Sequence, residues 1–163
     1  MPDTHIVEFS DPRAHDRSVV GSKAASVADL IENGATVPPG FSIHARAFDE
    51  FTRPVANEIA RILSSVELDN ASSAFEASDS IRELMASLDP PGGLAAHVTE
   101  RINSNSSSGT FAVRSSATAE DLEDASFAGM YDTVLDATDA ESVLKRIRDV
   151  WASYYTGRAI SYR

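Results

Sequence analysis

Two proline doublets, Pro38-Pro39 and Pro90-Pro91, each running into glycine, divide the 163-residue chain into three stretches. Proline fixes φ and supplies no backbone donor, so neither a helix nor a central strand can pass through either doublet. Each stretch must build its own short elements. In the first, residues 5–9 alternate as a short strand does, and Asp11-Pro12 opens a charged loop. Ser22 is the expected N-cap of a helix with Ala24, Val27, Leu30 and Ile31 on one face, stopped by Asn33-Gly34. In the second, Phe41 to His44 reads as a strand entered from the proline turn. Helical spacing then runs from Ala45 to about Val66 through Phe48, Phe51, Val55, Ile59, Ile62 and Leu63, with Pro54 as a break. A further helix opens on Ser73 and Glu76, placed as a capping box, and carries Ile81, Leu84, Met85 and Leu88.

The third stretch starts with a helix from about Leu94 to Ile102 and a polar loop at 103–109. Residues 110–116 and 131–136 have the β-branched and aromatic content of strands. Thr138 and Glu141 form a second capping-box pattern. The helix behind it carries Val143, Ile147, Val150, Trp151 and Tyr154 on one stripe, which is expected to be core. Residues 157–163 read as the beginning of another helix, the pattern of a chain from which something has been left out. The expected class is α+β, one domain over 1–163 with a helical segment at about 45–103.

Composition sets limits on function. With no cysteine, neither disulfides nor thiolate metal sites are available, which fits a reducing cytoplasm. The first twenty residues lack the apolar segment of a signal peptide, and no run approaches membrane-spanning length. A net charge of −11 opposes nonspecific nucleic-acid binding. It leaves room for a small anion, because such sites are built from one or two local cations and backbone N–H groups.

Only two lysines stand against twelve arginines, and Lys23 sits oddly. It occupies the first turn of a helix, the positive end of the macrodipole, while Asp29 and Glu32 lie toward the negative end. Either an exposed lysine tolerates this, or Gly21-Ser22-Lys23 presents N–H groups, a hydroxyl and an ammonium to a bound phosphate. Arg114 ends an apolar strand and precedes Ser115, Ser116, Ala117 and Thr118. It either serves a ligand crevice at the strand end or pairs with the acidic residues Glu120, Asp121, Glu123 and Asp124. Ala125, Ser126, Ala128 and Gly129 permit close backbone approach to a ligand, and equally suit a hairpin. No Walker A loop and no G-x-G-x-x-G spacing is present. His5, His15, His44 and His97 show no metal-ligand spacing, the acidic run from Glu120 to Asp124 offers oxygen ligands for Mg²⁺ but reads better as an exposed charged loop, and no metal-binding residue is expected in this chain.

Taken together, residues 20–51 and 111–163 resemble, in order and spacing, the N-terminal ATP-binding region of the phosphoenolpyruvate synthase and pyruvate, phosphate dikinase family, which includes rifampin phosphotransferases. The resemblance implies the first part of an ATP-grasp fold: one subdomain with a helical insertion. It implies that Lys23 contacts ATP phosphates, that Arg114 acts catalytically on the transferring phosphates beside Ser115, and that the turn from Ser126 to Gly129 covers the phosphates. ATP and Mg²⁺ are the implied cofactors, with most Mg²⁺ ligands outside this chain. The other ATP-grasp half and a domain with a phosphorylated histidine after Thr-Ser are implied as partners in cis or in trans, with pyruvate or another acceptor on a further domain. ATP binding by this chain alone is expected to be weak at most. Where the family has Gly-Gly-Lys-Gly, this chain has Gly21-Ser22-Lys23-Ala24, so two positions of free backbone rotation are lost. An antibiotic-modifying enzyme and a non-catalytic nucleotide-sensing or partner-binding module are the alternative readings.

Overall fold

The structure, a computed structural model, describes residues 5–67, 70–104, 109–117 and 133–162. In the described residues the strands form two separate antiparallel pairs set among helices, an α+β arrangement. β1 (Ile6–Glu8) pairs with β2 (Phe41–Ile43), with Val7 opposite Ser42. β3 (Phe111–Arg114) pairs with β4 (Thr133–Ala137), with a register irregularity between Phe111 and Val113. Arg114, the last residue of β3, lies opposite Thr133.

Between β1 and β2 come a 3₁₀ turn, Pro12–His15, then α1 (Arg17–Val20) and α2 (Ser22–Glu32). Asp16 caps α1 by accepting from the Ser18 N–H at 2.9 Å. Gly21 separates the two helices with φ +78° and ψ 167°. Val7, Ala14, Val20, Ala24, Ala25 and Ala28 form the small core beneath α2. Leu30 is 52% exposed and Ile31 36%. The buried face is therefore turned from the expected Leu30/Ile31 stripe toward alanines, because α2 lies directly on α1 and the 3₁₀ turn, where only small side chains allow close approach.

The middle of the chain is helical. α3 (Arg46–Thr52), a 3₁₀ turn at Arg53–Val55 and α4 (Ala56–Ser64) occupy the span expected as one interrupted helix, with the interruption at Pro54. α5 (Ala71–Ala86), α7 (Ala140–Ala152) and α8 (Gly157–Tyr162) pack with them around Phe51, Ile59, Ile62, Ile81 and Met85. α6 (Leu94–Ser104) joins α7 and the strands around Leu94, Val98, Ile102, Val143 and Ile147. Trp151 is half-buried and packs against both clusters, 4.8 Å from the Phe51 ring centroid. A forked pair, Arg101 Nε to Glu8 Oε1 at 2.6 Å and Nη2 to Oε2 at 2.9 Å, ties α6 to β1.

Three helix starts differ from expectation. α2 begins at Ser22 with Gly21 as N-cap. α5 is capped by Asn70, which accepts from the Ser72 N–H at 3.1 Å, while Ser73 Oγ accepts instead from the Glu67 N–H. α7 is capped by Asp139 with Ser142 as its reciprocal partner, not by Thr138 with Glu141. At α5 and α7 several cap-competent side chains adjoin, and the backbone turn preceding the helix selects among them.

Candidate functional site

The start of α2 is built against the residues that follow β3. A helix N-terminus leaves its first N–H groups without intrahelical partners, and an N-cap side chain ordinarily accepts from the second or third of them. Gly21 has no side chain to offer. The oxygen comes instead from Ser116, whose Oγ accepts from the Ala24 N–H at 2.9 Å. The Ser22 N–H points to the Ala117 carbonyl at 3.4 Å. The backbones are so close that a Cβ on Gly21 would lie 1.9 Å from the Ser116 carbonyl oxygen and 2.6 Å from its Oγ. Glycine is required here twice over, by its φ and by its neighbour.

This junction brings the two sequence-predicted cations to one locality. Lys23, exposed, follows directly on Ser22 in the first turn of α2. Arg114, also exposed, ends β3 two residues before Ser116. Ser115, between Arg114 and Ser116 in the chain, is half-buried, and its Oγ is buried without a hydrogen-bond partner among the described residues. Ser126 and Gly129, with the acidic run at 120–124, lie outside the described residues. Ser22 and Ala24 take ordinary helical positions and are buried, so the two places where glycine is replaced have no need of its freedom. The backbone N–H groups of both are directed at Ser116 and Ala117, which takes up two of the first three N–H groups of α2.

At the other end of α2, His15 Nδ1 lies 2.6 Å from Asp29 Oδ1 and 3.9 Å from Glu32 Oε2. The hydrogen bond to Asp29 raises the histidine pKa above its ordinary value, desolvation opposes this, and Glu32 adds to the rise. The ligand atoms of these three exposed residues fall within 4.8 Å of one another, a grouping that could admit a metal ion. The sequence spacing of the histidines does not reveal it, because His15 reaches α2 from a preceding turn. Surface depressions at Arg61, Ser65, Asn70 and Ser73, and at Asp139, Glu141, Lys145 and Arg148, include neither Lys23 nor Arg114. No helix among the described residues is long and apolar enough to cross a membrane.

The family pattern described as "Pyruvate phosphate dikinase, AMP/ATP-binding domain" matches residues 17–163. The chain belongs to this family. The match runs through both halves of the α2–β3 junction and through the helices between them. Among relatives, the probable phosphoenolpyruvate synthase of Methanothermobacter thermautotrophicus is 32% identical over 98% of this chain and 24% of its own length. The phosphoenolpyruvate synthase of Escherichia coli is 35% identical over 97% of this chain and 21% of its own length. The rifampicin phosphotransferase of a Streptomyces species is 34% identical over 97% of this chain and 19% of its own length. The chain thus spans a quarter or less of each of these three proteins.

Proposed function

We propose that this chain is the ATP-binding N-terminal portion of a dikinase-type phosphotransferase, contributing the first part of an ATP-grasp fold in the cytoplasm. The observation that carries this reading is the packing of α2's first turn on Ser116 and Ala117, which gives Lys23 and Arg114 a common locality. Lys23 offers an ammonium to the ATP phosphates. Arg114 offers a planar fork that can hold two oxygens of the transferring phosphoryl group, with the Ser115 hydroxyl beside it. The Ser126 to Gly129 turn completes the reading as the cover over the phosphates. Phosphoryl transfer asks little covalent work of the protein, so aligning the group and neutralising its oxygens are the contributions these residues make.

An ammonium, a guanidinium and hydroxyls suit phosphate oxygens and do not form the carboxylate set that Mg²⁺ takes. Mg²⁺ would therefore be held by residues outside the junction. The phosphoryl group would pass to a histidine carried elsewhere and then to pyruvate or another acceptor. Similar identity to a phosphoenolpyruvate synthase and to a rifampicin phosphotransferase supports an acceptor set beyond this segment, with the antibiotic-modifying reading as the alternative.

Amide NMR of the chain titrated with Mg-ATP to millimolar concentration tests the reading. Perturbation is expected at residues 22–24 and 114–117. Lys23→Ala and Arg114→Ala should each weaken affinity about tenfold or more, the worth of a charge-assisted hydrogen bond. Binding unaffected by both substitutions, or perturbation confined to residues away from this junction, contradicts the assignment.

A further inference from the structure

We propose that Ser116 is a positioning residue for the phosphate site: its Oγ caps α2 from across the chain and holds the Lys23 turn to the Arg114 strand end. The inference rests on the ATP-binding reading above. The Ser116 Oγ stands where the side chain of an N-cap serine would stand, accepting from the third helical N–H, but it is supplied from 92 residues further along the sequence. A local cap and this distant one exclude each other. Any side chain at Gly21 would run into the Ser116 carbonyl, and the backbone at φ +78° accommodates few residues besides glycine.

The arrangement does more than terminate a helix. A local cap would satisfy the same N–H group and leave α2 free to shift against β3. The distant cap makes the orientation of Lys23 depend on the strand that ends in Arg114. A bidentate guanidinium and a point-charge ammonium can share one polyphosphate only when their separation is held, so removing the Ser116 hydroxyl should reduce what Lys23 contributes.

The test uses this chain with Ser116→Ala and Ser116→Thr, alone and combined with Lys23→Ala. Hydrogen exchange of the Ala24 amide should rise about tenfold in S116A, the factor that an ordinary cap corresponds to, and return toward the starting rate in S116T. Mg-ATP affinity, read by amide NMR, should fall severalfold in S116A and recover in S116T. Lys23→Ala should cost less affinity in the S116A background than alone. Unchanged Ala24 exchange in S116A overturns the cap. S116A binding Mg-ATP like the starting protein, while K23A and R114A are impaired, overturns the positioning role and leaves the ATP reading standing. If K23A and R114A bind unimpaired, the ATP reading falls and the positioning role with it.

Discussion

Gly21 is the residue on which the α2–β3 junction turns. Its φ of +78° and ψ of 167° fall in a region open essentially only to glycine, where another residue costs about 1–3 kcal/mol. The contact with the Ser116 carbonyl adds to that cost. Gly21→Ala is expected to lower stability by at least about 2 kcal/mol in urea denaturation, and loss below about 0.5 kcal/mol would contradict the contact. His15 supplies a pH signature of opposite locality. Its pKa is raised by Asp29, so the pair stabilises the fold fully below the ordinary value near 6.5 and loses this as pH rises through the higher folded value. Asp29→Asn should flatten that decline, and NMR titration of His15 should return its pKa toward 6.5. Lys23 and Arg114 were legible as candidates because a cation at a helix start and an arginine at a strand end are locally odd. Ser116 as the cap was not, since a hydrogen bond spanning 92 residues leaves no periodic trace.

At the level of elements, the sequence identifies the longer helices and the short strands in order, including the interruption at Pro54, because proline and hydrophobic spacing act locally, but the stretch read as a charged loop after Asp11-Pro12 holds a 3₁₀ turn and α1, too short to leave a periodic pattern. What it misplaces are helix starts and the buried face of α2, which depend on the neighbours an element meets. Leu30 and Ile31 look like core until α2 is seen resting on α1 through Ala24, Ala25 and Ala28. The link from α6 to β1 is likewise tertiary. Arg101 and Glu8 form a forked pair with side chains about two-fifths exposed, and Arg101 also lies 6.0 Å from the centroid of the Phe41 ring. Solvent screening limits such a pair, so a double-mutant cycle of Arg101→Ala with Glu8→Ala should yield coupling below about 1 kcal/mol that shrinks with salt. Coupling well above that, or insensitive to salt, would contradict the picture of an exposed pair.

For the molecule as a whole, Trp151 is the seam between the two larger hydrophobic clusters. Ile81 is fully buried in the first, and Ile81→Ala should cost about 2–5 kcal/mol. Because one indole touches both clusters, its fluorescence and far-UV circular dichroism should report the same midpoint in urea, and separated midpoints would show that the clusters melt independently. The distant cap on α2 also has a consequence for biogenesis. During synthesis α2 leaves the ribosome long before Ser116 does, so its leading turn stays frayed until the strand that shelters it is made. Nascent chains halted short of residue 116 should show a protease-sensitive α2 that becomes resistant once translation has passed that point.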